Sequence, residues 1–289
     1  MSVKELYGES PLAPVPLLDV HAHFLTPHTN RNDWVRYNSS RIAAGRKMDI
    51  ACHVASVLGS WGHTSPTYFA SPSDQTRGND WLYDFADSLE GEVRAYVAVN
   101  PNFTAHALAE MERGHKRGAV GLKLAAARRA DDVLLDELIH SAREKNFPVL
   151  HHVWQNRQRI WPNQDASNPI ELSRLAARHE DVTFILAHIG GGGDWSHTSA
   201  VISGVPNIMV DLSGSGIDRG MLDHVLEWLG PQQLLWASDV TLGTALSKLR
   251  ALEHTGASAD DIADICWRNA VRIFPGNTFP SVTAGDLQT

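Results

Sequence analysis

Two histidines separated by one residue, His21 and His23, close a short apolar run near the N-terminus. Side chains at positions i and i+2 of a strand point to the same face about 7 Å apart, so both imidazoles could bind one cation. Three later apolar runs also end in a potential ligand or base, at His152, His188 and Asp239. A histidine pair alone is weak evidence in a chain with 15 histidines. The four strand ends together predict a metal site, because a parallel barrel assembles its active site there.

The elements that would position these residues form a regular alternation of apolar runs and segments with helical periodicity. The predicted strands are Leu17–His23, His53–Leu58, Val93–Val99, Val120–Leu124, Val149–Val153, Thr183–Ile189, Ile208–Leu212 and Leu234–Ser238. The predicted helices are Arg41–Met48, Asn79–Leu89, Ala105–Arg117, Val133–Lys145, Pro169–His179, Met221–Leu229 and Ala259–Ile273, the last with Ser258 as N-cap and Asp261 three residues on. This order is typical of α/β proteins and predicts a single-domain (β/α)8 TIM barrel.

The predicted barrel covers residues 17–274, between an N-terminal extension over 1–16 and a C-terminal tail over 275–289. A long loop, Gly59–Gly78, follows the second strand and includes Trp61 and His63. Long loops on the catalytic face of a barrel usually take part in binding or catalysis. We therefore interpret this loop as a lid over the site.

Charge and composition exclude several classes of function. A formal net charge of −8 over 289 residues argues against a nucleic-acid partner, since such binding rests on clustered Lys and Arg. The N-terminal segment lacks the basic and apolar regions of a signal peptide, and no later run approaches the ~20 apolar residues of a membrane span. Cys52 and Cys266 predict neither a disulfide framework nor a thiolate metal site. We expect a cytoplasmic protein without a membrane partner, and leave a homo-oligomer open.

The motifs occur in an order that resembles the amidohydrolase superfamily. Within it, the resemblance is to the amidohydrolase-2 type, which includes lactonases, hydratases and decarboxylases related to aminocarboxymuconate-semialdehyde decarboxylase and 2-pyrone-4,6-dicarboxylate lactonase. The matching stretches are Leu-Leu-Asp-Val-His-Ala-His at 17–23, Pro-Val-Leu-His-His at 148–152, Phe-Ile-Leu-Ala-His-Ile-Gly-Gly at 184–191 and Trp-Ala-Ser-Asp-Val at 236–240. The resemblance covers nearly the whole chain.

This resemblance implies a role for each strand-end residue. His21, His23 and a histidine of the fifth strand would bind the metal. Asp239 would be a further ligand that also transfers protons, and His188 would lie near the metal-bound water. Together these roles imply a metal-dependent enzyme.

The fifth strand leaves a choice between His151 and His152, because successive strand side chains alternate in direction. The family's spacing from Pro148 favours His152 as the ligand, with His151 packed between strand and helix. Lys123 stands where some superfamily members carry a carboxylated lysine that bridges two metals, but related proteins often have a lysine there without a second ion. We expect one divalent ion, Zn²⁺ first and Mn²⁺ as the alternative.

A metal ion held in this way would lower the pKa of its water from about 15.7 to about 7. Asp239 could accept the proton of that water, and His188 could polarise a carbonyl. We therefore predict a hydrolase of a small carboxylated lactone, ester or amide. The alternative is a decarboxylase (a lyase) of an aromatic or muconate-like carboxylic acid, which is less favoured because such relatives tend to be longer. A barrel that binds metal or carboxylate without catalysis is the remote alternative.

Basic and aromatic residues occur in the loops of the predicted catalytic face. The candidate substrate-binding residues are Arg128, Arg157, Trp61, His63 and Trp154. Arginine pairs bidentately with carboxylates, so the expected partner is a small-molecule carboxylic acid. The alternative is that these arginines pair with acidic residues at helix starts, such as Asp131 and Asp132.

Overall fold

The computed structural model describes residues 12–60, 70–125, 127–153, 166–189, 194–214, 216 and 218–280. The strands are β1 (Leu17–His23), β2 (Ile50–Ser56), β3 (Val93–Ala98), β4 (Gly121–Leu124), β5 (Val149–His152), β6 (Phe184–Ala187), β7 (Ile208–Asp211) and β8 (Leu234–Leu235). The helices are α1 (Trp34–Lys47), α2 (Pro72–Asp87), α3 (Thr104–Lys116), α4 (Asp136–Glu144), α5 (Pro169–Arg178), α6 (Trp195–Ile202), α7 (Met221–Leu229), α8 (Leu242–Leu252), α9 (Ala259–Ala263) and α10 (Asn269–Ile273).

Each strand pairs in parallel with the next one along the chain, in the order β1 to β8. The barrel closes where Ala22 of β1 forms a parallel bridge with Asp239, beyond the end of β8. At this bridge the Asp239 N–H donates to the His21 carbonyl at 2.6 Å. The consecutive order and the alternation with helices confirm the predicted (β/α)8 barrel.

The barrel strands are buried on both faces, as parallel sheets covered by helices are. Every residue of β5, β6 and β7 is buried. Their apolar side chains join those of the surrounding helices in a hydrophobic core. No helix in the described ranges combines the length and the apolar character needed to cross a membrane. The predicted limits of the N-terminal extension and the C-terminal tail stay predictions.

Two helices begin well before their predicted starts, because their first residues are mostly polar or exposed and contribute little to a buried apolar stripe. Helix α1 begins at Trp34 rather than Arg41, and α2 begins at Pro72 rather than Asn79. The Ser71 side chain accepts from the Asp74 N–H, and Pro72 occupies the first turn, where its missing N–H costs nothing. Helix α2 therefore starts inside the predicted Gly59–Gly78 loop. Residues 61–69 of that loop lie outside the described residues, so the lid stays a prediction.

The predicted final helix is divided. Ser258 and Asp261 form the expected cap of α9, but a π-helical segment, Asp264–Arg268, separates α9 from α10. The Ile265 carbonyl accepts from the Trp236 N–H at 2.9 Å, which ties this wider turn to the chain after β8. The structure also contains α6 and α8, which the sequence pattern did not predict. In α8 the buried face includes Lys248, so this face does not appear as an apolar stripe in the sequence.

Candidate metal centre at the barrel mouth

The predicted site residues come from strand ends that meet at one face of the barrel. His21 and His23 belong to β1, His152 ends β5, and His188 directly follows β6. Asp239 lies beyond β8 with a backbone φ of 52°, in the left-handed region. Parallel pairing in register brings these carboxyl ends to one edge of the sheet.

Three of these residues form a compact donor group. The Nε2 atoms of His21 and His23 lie 3.2 Å apart, and Asp239 Oδ1 lies 3.3 Å from His23 Nε2 and 3.8 Å from His21 Nε2. All three donor atoms lie within 4.8 Å of one another. Ligands about 2.0–2.2 Å from a tetrahedral ion are separated from each other by roughly 3.3–3.6 Å. The spacing of this group therefore suits a divalent metal.

Both imidazoles of β1 are held by their other ring nitrogen. His23 Nδ1 lies 2.9 Å from the Ser56 carbonyl, which can only accept, and His21 Nδ1 lies 2.9 Å from Asp211 Oδ2. A neutral ring that donates through Nδ1 presents a lone pair at Nε2. Metal-binding histidines are commonly oriented in this way, by a carbonyl or a carboxylate on the far nitrogen. The two lone pairs face each other, an arrangement that a cation between them would stabilise.

Lys123 of β4 is fully buried beside this group, with Nζ 3.0 Å from His21 Nε2. Burial lowers the pKa of Lys123 to about 8, partly offset by the negative charges of Asp239 and Asp211. Burial and the Lys123 charge in turn hold the pKa of His21 well below its usual value. The site therefore contains neutral imidazole next to a positive charge.

Asp239 also contacts His188, through Oδ2 at 3.4 Å from His188 Nε2. Burial raises the pKa of Asp239, but the surrounding imidazoles of His23, His21 and His188 outweigh this effect, so the net pKa is well below the usual range. Burial lowers the pKa of His188. Its Nδ1 is buried without a hydrogen-bond partner among the described residues. Asp239 is thus an ionised carboxylate shared between the donor group and His188.

The two histidines of β5 differ in surroundings. The His152 ring lies against the His188 ring, with centroids 5.0 Å apart and planes at 86°. His151 Nδ1 contacts the His152 carbonyl at 3.0 Å, and burial lowers the pKa of His151 to about 4. His152 therefore lies next to the site, in contact with His188.

The predicted substrate-binding residues are described in part. Arg128 donates to Asn102 Oδ1 at 2.6 Å and lies 3.3 Å from Asp132 Oδ2. Arg128 thus pairs with an acidic residue at the start of a helical segment, which is the alternative to substrate binding given in the sequence analysis. Arg157, Trp61, His63 and Trp154 lie outside the described residues.

The model of the amidohydrolase family matches residues 18–276. The chain belongs to the amidohydrolase family. A comparison with curated proteins gave no match.

Solved structures share the fold of this amidohydrolase. A 2,6-dihydroxybenzoate decarboxylase in complex with 2,6-dihydroxybenzoate matches with a TM-score of 0.71 and 14% identity, over 90% of this chain and 99% of that chain. The 5-carboxyvanillate decarboxylase of Sphingomonas paucimobilis gives 0.65 and 16%, over 90% and 99%. A dihydroxybenzoic acid decarboxylase of Polaromonas sp. JS666, with bound manganese and the inhibitor 2-nitroresorcinol, gives 0.68 and 16%, over 90% and 96%. At these identities the likeness shows the fold.

Sequence reasoning missed the residues that orient the β1 imidazoles of this amidohydrolase. Asp211 ends the apolar run of β7, so the rule that identified the other strand-end residues could have found it. Ser56 acts through its backbone carbonyl, and no side-chain pattern reveals such a contact.

Proposed function

We propose that this amidohydrolase is a metal-dependent decarboxylase of a small aromatic or similarly conjugated carboxylic acid. The observation that carries the proposal is the position of Asp239, with Oδ1 3.3 Å from His23 Nε2 and Oδ2 3.4 Å from His188 Nε2. One carboxylate thereby joins the proposed metal donors to an imidazole that can hold a proton. Decarboxylation needs both parts, a cation for the substrate carboxylate and a proton for the carbon that loses CO₂.

The structural comparisons support decarboxylation more than the hydrolysis that the sequence favoured. Several of the similar structures are decarboxylases, of 2,6-dihydroxybenzoate, 5-carboxyvanillate and dihydroxybenzoic acid. The matches cover 96% to 99% of those chains, so the extent of this chain gives no reason to prefer hydrolysis.

His21, His23 and Asp239 would hold the ion, and His152 would be the further ligand from β5. A divalent ion there supplies positive charge that orients a substrate carboxylate and stabilises the negative charge of the transition state. Imidazole and carboxylate donors suit both Zn²⁺ and Mn²⁺. The manganese in the Polaromonas enzyme supports testing Mn²⁺ beside the Zn²⁺ that the sequence favoured.

His188 and Asp239 would supply the proton. The bond between the carboxylate and its carbon breaks, CO₂ leaves, and the electron pair stays on that carbon. The carbon then takes one proton from His188 Nε2, directly or by way of Asp239 Oδ2. Burial lowers the pKa of His188 and the charge of Asp239 partly offsets this, so the proton donor is the imidazolium form of the ring, and solvent restores its proton after each turnover.

Positive side chains would select an anionic substrate. The Lys123 Nζ is buried 3.0 Å from His21 Nε2, where it favours a carboxylate over a neutral ligand. Arg128 is a second proposed contact, and binding there would compete with its contact to Asp132. The loop residues Arg157, Trp61, His63 and Trp154 remain proposed substrate contacts on the sequence alone.

Hydrolysis of a carboxylated lactone, ester or amide is the second candidate. The ionised state of Asp239 favours it, since a carboxylate beside the proposed metal can accept a proton from water. In hydrolysis Asp239 and His188 would first accept a proton, whereas in decarboxylation they would donate one.

One experiment separates these reactions. Protein loaded with Mn²⁺ or Zn²⁺ is incubated with 2,6-dihydroxybenzoate, 5-carboxyvanillate and a set of carboxylated lactones, in D₂O and in ¹⁸O-water, with products followed by mass spectrometry. Decarboxylation predicts CO₂ release and one deuterium on the product carbon. Water ¹⁸O in the product without CO₂ release would establish hydrolysis instead. Metal binding with no turnover across an extended acid panel would favour a binding protein.

A further inference from the structure

A buried arginine of α1 lies behind the junction of β1 and β8. Arg41 is 5% exposed, and its guanidinium reaches both neighbours of Asp239. Nη1 donates to the Val240 carbonyl at 3.0 Å, and Nη2 donates to the Ser238 hydroxyl. The Tyr37 hydroxyl donates to the same Val240 carbonyl at 3.0 Å. The residues on both sides of Asp239 are therefore fixed from outside the barrel.

Asp19 completes this network. Its carboxylate accepts from the Ser238 N–H at 2.8 Å and from the Ser238 hydroxyl at 2.5 Å. It also accepts from the His21 N–H at 3.4 Å, which links the chain before Asp239 to the strand that carries the histidines. Arg41 Nη2 lies 3.4 Å from Asp19, so the carboxylate has a buried positive partner.

Asp239 needs such support, because a non-glycine residue at a φ of 52° is in a sparsely populated conformation. Such conformations persist where the surrounding structure determines them. The planar guanidinium has donors in a fixed fork, which matches the two acceptors on either side of Asp239. A lysine has one nitrogen and cannot reproduce this geometry.

We infer that Arg41 is a positioning residue for Asp239, holding the turn around it so that the carboxylate faces His23 and His188. The inference rests on the metal-binding part of the proposed function. It does not depend on which reaction the loaded enzyme performs.

The test is a double-mutant cycle on Mn²⁺ affinity, measured by titration and by the electron paramagnetic resonance of bound Mn²⁺. It compares the wild type, Arg41→Met, Asp239→Asn and the double variant. If Arg41 acts through Asp239, Arg41→Met weakens Mn²⁺ binding about 10–100-fold in the wild-type background. In the Asp239→Asn background the same change has a much smaller effect, because the two residues are coupled. Equal losses in both backgrounds, or no loss in either, would overturn the inference.

Two further variants keep the test decisive. Arg46 lies on the same helix as Arg41 and forms an exposed ion pair with Glu92. The control variant Arg46→Met should therefore leave Mn²⁺ affinity unchanged. Arg41→Lys retains a buried cation beside Asp19 in case Arg41→Met does not fold, and should still bind Mn²⁺ more weakly with an altered spectrum; affinity equal to that of the wild type would contradict the inference. If the wild-type protein binds Mn²⁺ but decarboxylates none of the acids tested, the proposed reaction is wrong and the double-mutant cycle on Mn²⁺ affinity remains valid. Wild-type protein that binds no Mn²⁺ overturns both.

Discussion

Strands β5 and β6 pair over four residues, from Val149 with Phe184 to His152 with Ala187, whereas β8 has two residues and meets β1 through the Ala22–Asp239 bridge. We call the first region the wall and the second the seam. The wall positions His152 through regular backbone pairing between apolar strands. At the seam, side-chain hydrogen bonds replace much of the strand pairing, so the chain can turn at Asp239 and direct its carboxylate toward the histidines. The barrel thus positions one proposed ligand by regular strand pairing and another by a network of polar side chains.

The first prediction concerns a variant that lacks the Asp239 carboxylate at the seam. Asp239→Asn should lower turnover by about 10²–10⁴-fold, because the amide keeps an oxygen donor but cannot hold or transfer the proton. Asparagine tolerates the left-handed backbone, so the fold and part of the metal affinity should remain. Initial rates and metal titration measure both quantities. Asp223→Asn, at an exposed position of α7, serves as the control; unchanged turnover in Asp239→Asn would refute the proton-transfer role.

The second prediction tests the wall. Ile185 of β6 is completely buried, so Ile185→Ala should destabilise the protein by about 2–5 kcal/mol through lost contacts and a cavity. Metal affinity at temperatures well below the unfolding transition should be nearly unchanged. Denaturant unfolding and metal titration of the same preparation check this. A large loss of metal affinity with little loss of stability would show that the wall and the seam are not separable in this way.

The third prediction concerns the hydrogen bond on the far side of His21. Asp211→Asn replaces the carboxylate that lies 2.9 Å from His21 Nδ1 with a neutral amide. Metal affinity should fall about 10–100-fold, the usual effect of losing a partner that orients a histidine ligand. Competition with a chelator of known affinity gives the value. If the variant binds metal as tightly as the wild type, Asp211 does not orient His21 for metal binding.

The smallest expected effect is a pH dependence of stability from Lys248, whose Nζ donates to the Ser213 and Gly214 carbonyls at 2.6 and 2.8 Å. Burial lowers its pKa to about 8. Between pH 8 and about 10 the unfolded chain holds a proton that the folded protein has lost, so the free energy of unfolding rises with pH through this window. Lys248→Met should remove this gain, worth about 1–3 kcal/mol. Unfolding of both proteins at several pH values measures it, and parallel pH profiles would contradict the prediction.

The wall was more predictable from the sequence than the seam. Buried parallel strands read as apolar runs, so β5, β6 and β7 were located to within a few residues, and β1 was predicted with its observed bounds. The eighth strand was predicted to extend to Ser238 but ends at Leu235. The polar residues Ser238 and Asp239, beyond this strand, take part in long-range hydrogen bonds that a local pattern cannot reveal.

The same contrast holds for the candidate site. Histidines and acids at strand ends indicated His21, His23, His188 and Asp239, because the topology itself brings strand ends together. The partners of these residues come from other elements, as Lys123 and Asp211 show. Lys123 was noted only through the family resemblance and Asp211 was missed, and their contacts with His21 became visible only from three-dimensional distances.

We propose that His21, His23 and Asp239 bind one divalent metal on which catalysis depends. The most direct test of this claim is elemental analysis of purified protein after loading with Mn²⁺ or Zn²⁺ and removal of free ion, with His21→Ala/His23→Ala beside the wild type. We predict about one equivalent per chain in the wild type and none in the double variant, which should still show the circular dichroism of the folded barrel and no turnover. Equal metal content in the two proteins, two equivalents in the wild type, or full turnover without metal would contradict the claim.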